Sequence, residues 1–125
     1  MTSSHPVWAT NTPKHVLTVD GDTTPTQTWV ASNRKERNTG LLGTDSLDGA
    51  LWLRACNWVH TFGMRYALDL VYVGRHGRVV AVTTTPPRRL CLPRLTAHAT
   101  VELPAGMAAK LNIRRGTVVG TERRR

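Results

Sequence analysis

Hydrophobic and polar residues alternate along most of the chain, which is the period expected of half-buried β-strands. This alternation predicts five strands, at residues 15–21, 26–32, 50–56, 96–104 and 114–121. Between the third and fourth of these, the run ALDLVYVGRHGRVVAVTTT has two β-branched segments on either side of the Gly-bounded turn GRHG. That arrangement predicts a β-hairpin over residues 67–85.

Two further stretches have distinct patterns. The segment WVHTFGM, at residues 58–64, continues the extended pattern, with Gly63 as a bend or bulge. The segment PPRRLCLPRL, at residues 86–95, contains three prolines, which lack the N–H group that an interior strand must donate. It is therefore predicted to be a loop.

Two short segments have a helical pattern. Asn33, with Glu36 three residues later, resembles a capping box, and Gly40 suits a C-terminal cap, so a helix is predicted at 33–39. AGMAAKLNI, at 105–113, is helical in composition and follows Pro104, which is placed to start a helix. The order β-β-α-β-β-β-β-α-β predicts an α+β fold that is mostly β: a small antiparallel barrel-like or rolled sheet with two short helices.

The length of 125 residues predicts one domain, and 40% hydrophobic residues suffice for one core. We expect an N-terminal extension with a short strand at 1–25, the domain proper at 26–120 and a basic, mobile tail at 121–125. Residues 1–14 are expected to be loose because they are rich in Ser, Thr, Pro and Asn. The sequence has neither a membrane-length apolar run nor a signal-peptide pattern, so a cytoplasmic location is expected.

Positive charge is in excess, since 17 Lys and Arg residues oppose 8 Asp and Glu residues for a formal net charge of +9. Such an excess is typical of proteins that bind nucleic acid or another polyanion. The basic residues are dispersed, however, apart from NRKER at 33–37, the pair Arg88 and Arg89, and ERRR at 122–125. The dispersion favours the alternative interpretation, in which the charge belongs to a solvated surface.

The sequence offers no pattern for a metal or a cofactor. Cys56 and Cys91 do not form a CxxC pair, and no His/Cys cluster has zinc-finger spacing. No phosphate-binding loop, dinucleotide fingerprint or nucleophile elbow occurs. We therefore predict neither metal nor cofactor, and a disulfide only if the fold brings the two Cα atoms within about 7 Å.

Three blocks carry a resemblance to a known family. They are RNTGLLG at 37–43, VHTFGMRYALDLVYVGRHGRVVAV at 59–82 and VELPAGMAAKLNIRRGTVV at 101–119. Their order and spacing resemble the domain of unknown function 192 family, also called uncharacterised protein family 0127, over about residues 26–120. The resemblance implies a compact α+β domain dominated by β-structure. It implies no activity, because the family has no established biochemical function.

The resemblance also assigns a family motif to individual positions. These are Arg37, Gly40, Leu41, Met64, Arg65, Asp69, Gly77, Glu102, Ala105, Gly106 and Gly116. Three positions depart from the family pattern: Ala67 stands for a frequent proline, Thr44 for a usual basic residue and Thr117 for a common acidic one. Other branches have an aromatic-rich FWM segment near HTFGM, so the resemblance does not make His60 a universal catalytic residue.

Polar and aromatic residues gather around the second block without a recognisable catalytic set. The candidate ligand-binding residues are Trp58, His60, Met64, Arg65, Asp69 and Arg88. They favour a non-enzymatic binding or accessory module with a polar, aromatic cleft, whose partner is a small polar ligand or another protein. Two alternatives stay open, a basic nucleic-acid binder and a hydrolase that uses His60 with Asp69.

Specific predictions concern two carboxylates and one cysteine. Asp69 lies in the apolar run LDLVYV, so we expect it to be buried, ionised and hydrogen-bonded to backbone amides or an arginine. Glu102 precedes LPAG and is expected to cap the N-terminus of the last helix. Cys56 and His60 would share one face of a strand, but residues four apart in an extended chain are too distant to exchange a proton directly.

Overall fold

The structure is a computed structural model that describes residues 3–10 and 12–124. Within these residues it contains seven strands and two short α-helices, in the order that the sequence predicted. They are β1 His15–Val19, β2 Asp22–Ala31, α1 Arg34–Thr39, β3 Ala50–Arg54, β4 Leu68–Val73, β5 Val79–Thr85, β6 Ala99–Pro104, α2 Met107–Lys110 and β7 Val119–Arg123. None of the helices in this part of the chain is long and apolar enough to cross a membrane.

The strands form one sheet in the order β5-β4-β6-β3-β2-β1-β7. Neighbouring strands are antiparallel except β2 and β3, which are parallel. The sheet curls so that the start of β5 approaches the residues before β7: the amide of Val79 donates to the carbonyl of Thr117 at 2.8 Å, and Arg78 forms an isolated bridge with Val118. The predicted α+β fold, mostly β with a rolled sheet, is confirmed, although the sheet curls without closing.

The two central strands, β4 and β6, are buried on both faces because the sheet separates two hydrophobic clusters. One cluster lies on the side of α2, and we call it the α2 core. It includes Leu17, Val71, Val73, Val79, Val101, Leu103, Ala108, Ile113 and Val119. The other lies beside α1, and we call it the α1 core. It includes Leu41, Leu47, Leu51, Leu53, Val59, Leu68, Leu70 and Tyr72. Successive residues of β4 and β6 therefore alternate between the two cores.

The β4–β5 hairpin agrees with the prediction, and its turn depends on a glycine. Gly77 has φ +75°, a conformation that side-chain-bearing residues rarely adopt. A Cβ atom at this position would also collide with the carbonyl oxygen of Val119. Gly77 thus allows the hairpin turn to lie directly against the edge strand β7.

The segment between β3 and β4 differs from the prediction. β3 ends at Arg54 because Ala55 takes a positive φ of 52°, which breaks the extended chain. The stretch 58–64 is not a continuous strand, since Gly63 has φ +82° and the amide of Met64 donates to the carbonyl of Thr61 at 3.2 Å. The chain therefore turns at this point and leaves the sheet.

The two helices were predicted with unequal accuracy. α1 has the expected caps, because the side chain of Asn33 accepts from the amide of Glu36 and Gly40 ends the helix. α2 is shorter than predicted and begins at Met107, whereas Pro104 is the last residue of β6 rather than the start of a helix. The chain makes its turn through Gly106, which has φ +90°.

The described ends of the chain are more ordered than predicted. The carbonyl of Ser3 accepts from the amide of Asp45 at 2.9 Å, and the indole N–H of Trp8 donates to the carbonyl of Gly40 at 3.0 Å, so the N-terminal segment is packed rather than loose. The last strand is 119–123, not 114–121, and pairs with β1 as far as Arg123, within the predicted tail. Residues 1, 2, 11 and 125 lie outside the described residues. The domain boundaries at 25 and 120 stay a prediction.

Candidate functional site

A cleft of about 330 Å³ opens beside α1 on the α1-core side of the sheet. One wall is α1 and the turn after it, residues 37–42, and the other is the irregular chain that follows β3. Glu102, from the central strand β6, completes the lining. The second wall consists of Leu53, Ala55, Cys56, Trp58, Val59, His60, Phe62 and Met64. The volume is within the range of small-molecule sites, about 300–1,000 Å³.

The second wall is held in place by the proline-rich loop. Residues 56–64 and 86–94, which we call the paired loops, bond to each other through the amides of Cys91 and Arg94, which donate to the carbonyls of Val59 and Asn57. The fully buried Thr61 makes the central link, because its hydroxyl accepts from the amide of Arg89 and donates to the carbonyl of Pro86, both at 2.8 Å. The predicted loop at 86–95 thus serves as a brace for the cleft.

Three of the six candidate ligand-binding residues line the cleft. These are Trp58, His60 and Met64. Trp58 is 48% exposed, and its indole N–H donates to the carbonyl of Cys91 at 2.5 Å. His60 is exposed, with its ring 5.6 Å from the ring of Phe62. The part of the cleft that these residues line is therefore aromatic, and its binding of a ligand stays a prediction.

The other three candidates lie elsewhere. Arg65 forms an exposed ion pair with Asp45 at 2.6 Å, and its hydrogen bond lowers the pKa of that carboxyl. Arg88 is exposed on the proline-rich loop, where its amide donates to the carbonyl of Thr61. Asp69 lies on the opposite face of the sheet. The structure therefore does not bring all six residues to one cavity.

Asp69 holds the turn that starts α2. One carboxylate oxygen accepts from the amides of Gly106 and Ala108, each at 3.0 Å, and the other accepts from the hydroxyl of Thr84 at 2.7 Å. The side chain is 2% exposed. The prediction that Asp69 is buried and hydrogen-bonded to backbone amides is confirmed. The prediction that Glu102 caps this helix is wrong, because β6 directs Glu102 to the other face of the sheet.

The arrangement does not form a His–Asp or Cys–His pair. Both oxygens of Asp69 are occupied on the α2-core side, whereas His60 lines the cleft, and no hydrogen bond joins them within residues 3–10 and 12–124. The thiol of Cys56 donates to the carbonyl of Trp58 at 3.2 Å. Cys56 and Cys91 are free thiols. In the described part of the chain, no group of three or more His, Cys, Asp or Glu residues is placed to hold a metal ion.

Glu102 is the feature that sequence reasoning missed. It is 5% exposed and pairs across the sheet with Leu51 and Leu70, both fully buried members of the α1 core. No side chain or backbone amide of the described residues donates a hydrogen bond to its carboxyl group. Burial raises the pKa of Glu102 from 4.5 to about 7. A buried acid with unused acceptor positions therefore lies in the wall of the cleft.

The surroundings of Glu102 explain why it has no partner. One carboxyl oxygen lies 3.9 Å from the position that a Cβ atom would take on Gly40, so the group reaches the α1 wall without meeting a side chain there. Arg37 lines the same cleft, but its guanidinium donates to the carbonyl of Ser32 at 3.1 Å. Burial raises the pKa of Tyr66, and the nearby charge of Glu102 raises it further. The Tyr66 hydroxyl, however, is hydrogen-bonded to Thr44 at 2.7 Å. None of these groups donates to Glu102 in the described part of the chain.

A signal for this residue was present in the sequence. Thr100 and Glu102 alternate with Val101 and Leu103, which places a polar pair on one face of β6. In a sheet with one solvated face, this pattern would mean exposure. Because β6 is covered on both faces, the same pattern buries the carboxyl group.

A second cavity, of about 480 Å³, lies between the N-terminal segment and strands β1 and β2. The charged residues that line it, Lys14, Glu36 and Arg54, are exposed or half-buried and are therefore hydrated. The cleft differs because a buried carboxyl group forms part of its wall.

Several residues of the family motif converge on the cleft. Arg37, Gly40, Leu41, Met64 and Glu102 all line it. Of the remaining motif residues, Asp69 accepts from the amide of Gly106, and Gly77 makes the turn of the β4–β5 hairpin. The motif thus divides between the cleft and the turns that shape the fold.

Comparison with known proteins agrees with this architecture. A crystal structure of a protein of unknown function from Novosphingobium aromaticivorans is similar with a TM-score of 0.76 and 21% identity, covering 96% of this chain and 92% of that one. A protein from Sinorhizobium meliloti, provisionally described as a transcription regulator, is similar with a TM-score of 0.73 and 14% identity, covering 90% of this chain and 98% of that one. At these identities the likeness shows the fold alone. No curated protein matches the sequence significantly.

The family model gives the sequence-level match. Residues 15–121 match the domain of unknown function 192 model, DUF192, whose description is an uncharacterized ACR. The match covers all seven strands except the last two residues of β7. The chain therefore belongs to the domain of unknown function 192 family.

Proposed function

We propose that this protein is a non-enzymatic binding module whose small polar ligand occupies the cleft beside α1. The observation that carries the proposal is Glu102, a carboxyl group that is 5% exposed and receives no hydrogen bond from the described residues. Its oxygens are not among the fully buried side-chain atoms that lack a partner, so they are accessible from the cleft, where the solvent or a ligand can donate to them. A ligand that donates to Glu102 would supply the missing partner, and this need gives the cleft its specificity.

The rest of the lining supports a ligand that is partly apolar. Leu41, Leu53 and Val59 are buried in the α1 core where they border the cleft, and Met64 is half-buried there. A hydrogen bond made beside these buried side chains is stronger than one at the open surface. Together with the polar lining residues Arg37, Thr39 and His60, these apolar side chains suit a small molecule that carries both polar and apolar groups.

The test is a fragment screen observed through the backbone amide signals of the ¹⁵N-labelled protein. We expect binding fragments to shift the signals of residues 37–42 and 56–64 together. Replacing Trp58 by alanine should weaken these fragments by about tenfold, as expected for an aromatic contact at the mouth of a site. The control is Val118→Ala, which truncates an exposed residue near β7, away from the cleft lining. A screen in which no fragment shifts the cleft signals would overturn the proposal.

One observation favours a second candidate, the binding of single-stranded nucleic acid. Arg88 and Arg89 are exposed on the loop that is bonded to the segment carrying Trp58 and Phe62, which are 48% and 50% exposed. Exposed aromatic rings beside arginines are typical of surfaces that stack bases and contact phosphates. Affinity should then fall steeply as salt concentration rises. A protein that binds neither RNA nor DNA at low salt would eliminate this candidate.

A further inference from the structure

We propose that the ligand of the cleft is an organic cation, with an ammonium or guanidinium group that pairs with Glu102 and an apolar body that contacts the rest of the cleft. This inference rests on the proposed function of the cleft. It goes beyond that function because it names the charge and the chemical class of the ligand.

Glu102 has no positively charged partner among the described residues. Buried carboxylates in proteins are normally paired with a cation, because hydrogen bonds from neutral groups do not compensate the lost hydration of the charge. The charged and titratable groups around Glu102 are Arg37, His60, Cys56 and Tyr66. None of them donates a hydrogen bond to the carboxyl group, and the one salt bridge among the described residues joins Arg65 to Asp45. A bound cation would complete the pair that the chain leaves open.

The second argument is the composition of the mouth of the cleft. The rings of Trp58 and Phe62 and the thioether of Met64 line the same cleft as Glu102. Aromatic faces attract ammonium and guanidinium groups, and they also contact the apolar body of such a molecule. An anionic ligand would gain from neither the rings nor the carboxylate.

The net charge of +9 does not oppose this assignment strongly. Charges on the surface are screened over about 8 Å at physiological ionic strength, whereas a cation in direct contact with the buried Glu102 is screened much less. The guanidinium of Arg65, which follows the second wall directly, is neutralised by Asp45. Arg37 also lines the cleft, but it is half-buried and bonded to the carbonyl of Ser32, so the more deeply buried Glu102 is the charge with the greater need of a counterion.

The experiment compares three probes that share one apolar body: 2-phenylethylamine, 2-phenylethanol and 3-phenylpropanoate. Their affinities are measured by amide-signal titration at pH 8 with the parent protein, Glu102→Gln and the matched control Glu122→Gln, which changes an exposed residue of β7. The amine should bind about tenfold tighter than the alcohol, since a charge-assisted hydrogen bond exceeds a neutral one by roughly that factor. Glu102→Gln should remove this advantage and leave the alcohol unaffected, and Glu122→Gln should change neither affinity.

The pH dependence provides an independent readout. With the pKa of Glu102 at about 7, its ionised fraction rises about tenfold between pH 6 and pH 8, and the affinity for the amine should rise with it. The same titration of Glu102→Gln removes the contribution of every other group, so the difference between the two proteins isolates Glu102.

These results test the assignment of a cation separately from the proposed function of the cleft as a ligand site. Equal binding of amine and alcohol, retention of the amine by Glu102→Gln, or no binding of the amine would overturn the assignment of a cation. If other fragments still shift the signals of residues 37–42 and 56–64, the proposed function of the cleft as a ligand site is retained. Only the absence of any fragment from the cleft contradicts the proposed function itself.

Discussion

Replacement of Glu102 by glutamine is expected to stabilise the protein at alkaline pH and to remove most of its loss of stability between pH 5 and pH 8. Burial raises the pKa of Glu102 to about 7 in the folded protein, from 4.5. The folded state therefore holds its proton more tightly than the unfolded state does between these two values. The free energy of unfolding must fall as the pH rises through this window, because the unfolded state releases the proton first.

The magnitude follows from the two pKa values. The pKa rises from 4.5 to about 7 on folding, and each pKa unit corresponds to about 1.4 kcal/mol. The folded protein is therefore destabilised by about 3 kcal/mol above pH 7. About 2–3 kcal/mol of this is lost between pH 5 and pH 8, where the unfolded carboxyl is already largely ionised. Glutamine has nearly the same shape and does not titrate, so Glu102→Gln should escape this loss.

The assay is urea unfolding followed by tryptophan fluorescence at several pH values between 5 and 8. The control is Glu122→Gln, which removes one negative charge from an exposed position on β7. The stability advantage of Glu102→Gln should grow with pH by about 2–3 kcal/mol, which corresponds to a shift in Tm on the order of 10 °C for a domain of this size. The control should follow the parent protein at every pH.

Parallel stability curves for the parent protein and Glu102→Gln would refute the reasoning. They would mean that the carboxyl of Glu102 has ordinary hydration or a partner in the folded state. The proposal that a ligand donates a hydrogen bond to Glu102 would then lose its support.

Further substitutions test the structural part of the account. Asp69→Asn should lower the free energy of unfolding by about 2–3 kcal/mol, because an amide cannot accept from all three donors. The control Asp22→Asn, at an exposed position, should not lower it, and an unchanged or raised Tm for Asp69→Asn would contradict its structural assignment. Gly77→Ala should lower the free energy of unfolding by more than about 2 kcal/mol, because its Cβ would collide with β7. Gly116→Ala, with φ +93° and open space around it, should lower it by only about 1 kcal/mol, and equal losses in urea unfolding would count against the contact of Gly77 with β7. Arg65→Ala should leave Tm unchanged, because its ion pair is exposed.

The order of the elements could be predicted because strand alternation is a local property of the sequence. The run LDLVYV is apolar at five of its six positions, so a strand there leaves no exposed face for Asp69, and its burial followed directly. The hairpin likewise needed only two strands and a Gly-bounded turn. These inferences depend on neighbouring residues alone.

The cleft could not be predicted in the same way, because it depends on contacts between distant parts of the chain. HTFGM alternates like a strand, but Thr61 is fixed by residues 86 and 89, more than 20 positions away. Glu102 has the alternation of a half-exposed strand, and only the elements beside α1 that cover β6 make it buried. The sequence therefore placed Trp58 and His60 among the candidate residues but did not predict the burial of Glu102.

The most direct test of the central claim is a pH titration of the side-chain carboxyl carbon of Glu102 by ¹³C NMR, with and without 2-phenylethylamine. The account predicts a midpoint near 7 in the free protein, caused by burial, and a lower midpoint when the amine is bound because the ionised form then has a partner. A midpoint near the ordinary value of 4.5 in the free protein would contradict the claim that Glu102 is a buried, unpartnered acid in the wall of a ligand site.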